Sequence, residues 1–306
     1  MKIIRHPGEL AARKVCLAIG VFDGVHLGHQ QVLRQAITDA QQHGALAVAI
    51  TFDRHPNSVV APARMPALIY SLPQKLRAIA SLGIETTLLI EFDQPFSEKL
   101  ADVFIRELAR DFGQIYSVCV GASFTFGHKR GGNVALLQTL GAELKFAVHG
   151  LAAVSLDGKM VSSTRIRGAI REGDLEAASQ MLGRAYSIAA RVVHGDELGR
   201  QLGTPTANLD ITGLILPPNG VYAAHASVDG RTHPAAVNIG VRPTLHDSQP
   251  STRVEVHLLD FVGDLYDHEL ELTFVEKLRD EQLFPSVDAL KEQIQRDIAR
   301  TRELLG

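Results

Sequence analysis

Cysteine is scarce in this chain: Cys16 and Cys119 are the only two in 306 residues, each alone inside an apolar stretch. No Cys-x-x-Cys and no set of pairs is present, which excludes a disulfide framework and leaves both as small buried hydrophobes. A surplus of either charge is missing too. Lys+Arg number 31 against Asp+Glu 34, a formal net charge of -3. No global basic field therefore draws the protein to nucleic acid or to an anionic membrane. Nor is there a run of the roughly 20 apolar residues that crosses a bilayer. The first residues, Met1 to Glu9, carry charges and a Pro-Gly break where a signal peptide needs an apolar core. The expected location is the cytoplasm, with neither membrane nor nucleic acid as partner. Disorder is excluded in turn, because 45% of the residues are hydrophobic.

What the chain does have is two successive rhythms. Up to about residue 150, short apolar runs at 15–21, 46–52, 86–92, 117–121 and 144–149 alternate with amphipathic stretches at 29–43, 73–82, 97–112 and 133–140. Continuous apolar runs read as strands buried on both faces, and their alternation with helices predicts a doubly wound α/β domain with a parallel sheet. Such a sheet binds its ligand at the carboxyl ends of its strands. A helical pair follows at 164–172 and 175–182. Strand-like segments at 187–194, 221–228, 235–239, 254–261 and 269–275 come next, and one long amphipathic helix at 287–305. Strands in series and then a helix predict an antiparallel sheet or a small antiparallel barrel, not a second parallel sheet. The expected domains are residues 1–183 and 184–306.

The first predicted strand runs into Gly20-Val21-Phe22-Asp23-Gly24-Val25-His26-Leu27-Gly28-His29, where a helix begins. Glycines admit a ligand close to the backbone, and a helix N-terminus offers free N–H donors with partial positive charge. Gly20, Phe22, Asp23, His26, Gly28 and His29 thus form a candidate phosphate corner. A His-x-x-His pair also occurs in zinc sites, but no second ligand pair stands nearby; two solvated capping histidines are the plainer alternative. Ser162, Ser163, Thr164, Arg165 and Arg167 open the helical pair and set hydroxyls and guanidinium groups at another helix start. These suit phosphate oxygens, or simply cap the helix.

In the second half, Gly195, Gly199, Arg200 and Gly203 lie in a turn-rich loop that leads to Thr206 and Asn208. On an extended segment those two face the same way, and their oxygens suit Mg²⁺. The Gly-Lys-Ser/Thr ending of a Walker A loop is absent, so the loop stands between a plain turn and a phosphate binder. Glu255, between Val254 and Val256, is either a solvated strand position or a functional carboxylate.

The Gly20–His29 corner resembles the H-x-G-H signature of the nucleotidyltransferase superfamily. With Thr51-Phe52-Asp53-Arg54-His55-Pro56, Phe124-Thr125-Phe126-Gly127 and Val161-Ser162-Ser163-Thr164-Arg165-Ile166-Arg167, it resembles the flavin adenylyltransferase branch. Pro205-Thr206-Ala207-Asn208, Asn238-Ile239-Gly240-Val241-Arg242-Pro243-Thr244, Val254-Glu255-Val256-His257 and Leu278-Arg279-Asp280-Glu281 resemble the riboflavin kinase module. The whole chain is thus similar to the bacterial bifunctional riboflavin kinase/FAD synthetase family. That resemblance implies a Rossmann-like nucleotidyltransferase domain joined to a small β-barrel kinase domain.

It further implies that riboflavin is phosphorylated to FMN and FMN adenylylated to FAD, with ATP as co-substrate and Mg²⁺ as cofactor. Under it Glu255 is the base of the kinase step, and His26 and His29 stabilise adenylyl transfer. His55 joins the phosphate contacts, while Phe124, Phe126 and Arg279 contact flavin. Phe112 is a further flavin candidate or plain core.

The sequence departs from the family pattern at Ser123, Asn133, Ala185 and Thr204. Ser123 keeps open a kinase with a slow first domain. A flavin-binding sensor or RNA-contacting protein is the reading of a different class, against which the intact histidines, Glu255 and the net charge count. Self-association is left open.

Overall fold

The computed structural model describes residues 1–10, 13–195, 203–242 and 251–306. It divides into two compact units, Met1–Ala67 with Leu72–Arg165, and Leu68–Ser71 with Ile166–Gly306.

The first unit holds strands β1 (Lys2–Ile4), β2 (Lys14–Ile19), β3 (Leu46–Phe52), β4 (Thr86–Ile90) and β5 (Gln114–Gly121). A two-residue ribbon pairs β6 (Thr125–Phe126) with β7 (Gly132–Asn133), and β8 (Ala147–Leu151) follows. The main sheet runs β1-β4-β3-β2-β5-β8 with every pair parallel. Alternate residues of β2 enter opposite cores, which is why its apolar run is unbroken. Cys16 and Ala18 pack with Val32, Leu33 and Ala36 of α1 (Leu27–His43). Val15, Leu17 and Ile19 pack with Phe104, Ile105 and Leu108 of a helix on the other face. From β2 the neighbours β3 and β5 lead in opposite directions, so the carboxyl end of β2 is the switch point where such sheets bind ligands.

Two details depart from the sequence pattern. The expected helix 97–112 is broken. Asp93 caps a single turn, α4 (Gln94–Ser97), by accepting from the Phe96 N–H at 2.8 Å, and α5 (Ala101–Phe112) starts afresh after an extended Leu100. Strand β1 is too short to show a period, yet pairs along β4. Helices α2 (Asn57–Val60), α3 (Leu72–Ala80) and α6 (Val134–Leu144) complete the helices between the strands, and the hairpin β9 (Ser155–Leu156) with β10 (Lys159–Met160) comes after them.

Helices α7 (Ser163–Glu172) and α8 (Leu175–Leu182) precede the barrel, and from Ile166 onward they belong to the second unit. Asp174 caps α8 through the Ala177 N–H. The barrel strands are β11 (Ser187–Val193), β12 (Ala207–Leu209), β13 (Gly220–Val228), β14 (Arg231–Arg242), β15 (Ser251–Leu258) and β16 (Glu269–Arg279). They close antiparallel in the order β11-β12-β15-β14-β13-β16. Five strands were expected; the sixth, β12, is the short extended run that carries Asn208. Val254, Val256 and Leu258 point inward, so Glu255 and His257 face out. Leu68 joins this unit by pairing with Gly213 and Ile215. Helix α9 (Val287–Leu305) packs on β13 and β14 and is tied to β16 by Arg279–Asp297 at 2.8 Å.

Candidate active sites

At the end of β2 the chain makes a strained turn. Phe22, Gly24 and Val25 have φ of 54°, 79° and 42°. A left-handed conformation is costly for a β-branched residue such as Val25 and persists only when its surroundings impose it. They do so here. Val25 is fully buried, and its carbonyl accepts from Gln30 Nε2 at 3.0 Å. Gly20 has no room for a side chain, since a Cβ would lie 2.7 Å from the Phe22 ring. Phe22 therefore serves the turn with its backbone, while its ring is buried.

The turn delivers His26 to the N-cap of α1, where its Nδ1 accepts from the His29 N–H at 3.4 Å. Acceptance at Nδ1 puts the proton of a neutral ring on Nε2. The His26 and His29 rings stack, with centroids 3.6 Å apart and planes at 18°. Burial, then the neighbouring His26, then Lys75 hold the His29 pKa well below the usual 6.5. His29 is thus a neutral imidazole at neutral pH, and its Nδ1 is buried with no hydrogen-bond partner among the described residues. Gly28 keeps the stack open, because a Cβ there would press on His26 Cε1 at 3.2 Å.

Ser163 Oγ donates to the Asp23 carbonyl at 3.1 Å, which brings the start of α7 to this corner. Ser162 Oγ accepts from the Arg165 N–H at 3.2 Å. Arg165 Nη1 donates to the Leu156 and Lys159 carbonyls, so the guanidinium is anchored on the β9–β10 hairpin. Thr164 is exposed; Arg167 is buried and belongs to the second unit.

The sequence reading missed Lys75, which lies under this turn with only 7% exposure. Its signal is a lysine four residues before Ile79 on the buried stripe of α3.

Beside this corner a cavity of about 920 Å³ opens within the first unit. Phe52, Phe92, Phe96, Phe124 and Phe126 supply aromatic walls, Arg64, Lys99, Lys129 and Arg130 supply positive charge, and His128 adds an imidazole. His55 lines it as well, with Nδ1 accepting from the Asn57 N–H. Phe124 and Phe126 stack at 5.2 Å. Phe112 is core, packed with Leu108 and Ile115 away from this cavity. Ser123 is exposed and does not line it.

In the second unit a cavity of about 640 Å³ separates the outer wall of the barrel from α9. Thr206, Glu255 and Arg279 line it together, joined by Asn238, His257, Glu281 and Asp297. Register explains part of the grouping. Glu255 lies opposite Asn208 on one side and Asn238 on the other, and directly paired residues share a face. Gly195 packs on the Asn208 amide, leaving no space for a Cβ. His257 Nδ1 lies 2.8 Å from the Pro205 carbonyl and fixes the segment before Thr206.

Arg279 forks onto Asp297 through Nε and Nη2, and its guanidinium lies 5.7 Å from the Phe284 ring centre. Asp297 was not foreseen; its signal is a carboxylate between Ile294 and Ile298 on the apolar stripe of a helix. Gly203 is described with φ of 81°, whereas Gly199 and Arg200 lie outside the described residues. No cluster of three or more His, Cys, Asp or Glu that would hold a metal occurs among the described residues. The oxygens of Thr206, Asn208 and Glu255 suit a hard ion that keeps waters and phosphate oxygens as its other ligands.

Comparison with known proteins matches two stretches of the chain to two families. The family model described as FAD synthetase matches residues 9–165, and the one described as riboflavin kinase matches residues 182–305. A bifunctional riboflavin kinase/FMN adenylyltransferase of Pseudomonas fluorescens is 39% identical, covering 94% of this chain and 93% of the relative. The proteins of that description from Haemophilus influenzae and Escherichia coli K12 are each 36% identical. They cover 97% of this chain and 97% of the relative, and 100% and 98%, respectively. Among solved structures, a Streptococcus pneumoniae protein described as a macrolide-efflux protein superposes with a TM-score of 0.82 at 27% identity, covering 98% of both chains. Among the described residues no helix is long and apolar enough to cross a membrane. On these matches the chain belongs to the bifunctional riboflavin kinase/FMN adenylyltransferase family.

Proposed function

We propose that this chain makes FAD from riboflavin in two ATP-dependent steps, with kinase chemistry in residues 184–306 and adenylyl transfer in residues 1–183. The observation that carries the reading is the contrast between its two corners. One holds a carboxylate beside oxygen donors, and the other a stacked imidazole pair at a helix N-terminus.

In the kinase step the riboflavin 5′-hydroxyl attacks the γ-phosphorus of ATP and ADP leaves. A hydroxyl must lose its proton, and Glu255 on the cavity wall is placed to accept it; such help is worth about 10²–10⁴-fold. Thr206 and Asn208 would hold Mg²⁺, which neutralises charge on the phosphates when bound. Arg279, fixed by Asp297, walls the flavin end. In the second step a phosphate oxygen of FMN attacks the α-phosphorus of ATP and pyrophosphate leaves. That nucleophile is already ionised, so no base is required and positioning dominates. Neutral His29 and Nε2-protonated His26 donate to phosphate oxygens at the start of α1, where the helix dipole favours negative charge. The Phe-lined cavity with its basic rim suits the ring system and phosphate of FMN. The partners are small molecules, and the setting is the cytoplasm.

Purified protein given riboflavin, ATP and Mg²⁺, followed by chromatographic separation of the flavins, tests the reading: FMN should appear first, then FAD. His26→Ala should lower FAD formation and spare FMN formation, while Glu255→Ala should do the reverse when FMN is supplied. Loss of both reactions from either substitution in a folded protein would refute the two-site division.

A further inference from the structure

Lys75 plays no part in the chemistry assigned above, yet it is among the few charged side chains buried in the first unit. Its Nζ donates to the Phe52 carbonyl at 2.8 Å, to Thr51 Oγ1 at 3.3 Å and to the Val21 carbonyl at 3.4 Å. Three donors of an ammonium thus meet three acceptors. Thr51 Oγ1 in turn donates to the Val21 carbonyl at 3.0 Å. These bonds tie the end of β3 to the turn that follows β2, at the switch point of the sheet. Burying an ammonium costs several kcal/mol unless it is compensated, and an apolar side chain would fill the same space without that cost.

We propose that Lys75 is a positioning residue for adenylyl transfer: from beneath the Gly20–His29 turn its ammonium pins the carboxyl ends of β2 and β3 and holds the stacked His26–His29 pair in place for the triphosphate. The proposal rests on the adenylyl-transfer reading of this corner. Charge supports it as well as geometry. Burial pushes the Lys75 pKa down to about 8, while Asp23 and Asp53 push it up, so the group is mostly protonated at neutral pH. The positive charges facing His29 are those of Lys75 and, when protonated, His26. Lys75 therefore helps to keep His29 a neutral donor rather than a cation.

The test uses the full chain with Lys75→Met, and Lys75→Gln as a second neutral variant. FMN-to-FAD conversion should fall on the order of 10²-fold in kcat, the cost of displacing a reacting group by about 1 Å. Riboflavin phosphorylation by the same molecules should stay within about twofold of wild type and serves as the fold control. An NMR titration of ¹⁵N-labelled imidazoles, read without substrate, should show His29 gaining its proton at higher pH in the variants than in wild type. FAD formation within about twofold of wild type would overturn the proposal; so would an equal loss of activity with the His29 titration unmoved. Should both variants fail to fold, the wild-type titration decides, because a His29 already protonated at neutral pH contradicts the role. A wild-type chain that makes no FAD would instead sink the reading of the site, and the substrate-free titration tells the two failures apart.

Discussion

Gly195→Ala should slow riboflavin phosphorylation on the order of 10²-fold and leave FMN adenylylation untouched. Gly195 does not occupy the left-handed region, so alanine meets no backbone penalty there and the effect is purely steric. A Cβ would overlap the Asn208 amide nitrogen and come within 2.5 Å of Asn208 Cγ. Favourable contact between such atoms needs about 3.5–4.0 Å, so the amide must retreat by about 1 Å. Asn208 cannot retreat with its backbone, because β12 pairs with Val193 on one side and Glu255 on the other. Its side chain must rotate away from the candidate metal position instead. Overpacking of this kind costs about 1–3 kcal/mol in stability, and a 1 Å misplacement at a reacting centre costs on the order of 10²-fold in rate.

The assay follows the two conversions separately, riboflavin to FMN and FMN to FAD, in one preparation. Asn208→Ala provides the internal check. If the clash is the cause, the double variant should be no slower than Asn208→Ala alone, because the group that alanine strikes is gone. Wild-type phosphorylation by Gly195→Ala would refute the reasoning, as would additive losses in the double variant.

Asp297→Ala should free the Arg279 guanidinium from α9 and destabilise the barrel unit by about 3 kcal/mol, since a mostly buried pair loses one partner; denaturant unfolding measures the loss, and FAD formation from FMN should persist. The pH dependence of stability carries its own signature. Lys75 titrates at about 8 in the folded chain against 10.5 for a free lysine side chain. Between those values the unfolded chain binds the extra proton, so stability should rise from pH 8 to pH 10.5, by about 3 kcal/mol in all. Lys75→Met should lack that rise, and parallel stability profiles for the two proteins would contradict it.

Much of this molecule is written locally. The unbroken apolar run of β2 announces a strand buried on both faces, and Gly20 to His29 announces a tight turn into a helix start, because glycine spacing and a helix start are properties of ten adjacent residues. The alternation around Glu255 likewise fixes which face of the strand the carboxylate takes. The helix expected at 97–112 starts only at Ala101 because the extended Leu100 separates it from Ser97, and a hydrophobic period does not register a single extended residue. Strands β1 and β12, three residues each, are too short to carry a period at all.

The sequence alone thus determined the two architectures, their order along the chain and the main chemical groups of each corner, all of which depend on neighbours in the chain. Only the tertiary structure decided that Lys75 lies beneath His29, that Arg279 is held by Asp297, and that Phe112 is core while Phe124 and Phe126 wall a cavity. Those facts depend on which distant segments meet, and burial, strand register and the desolvation of a charge exist only once they have met.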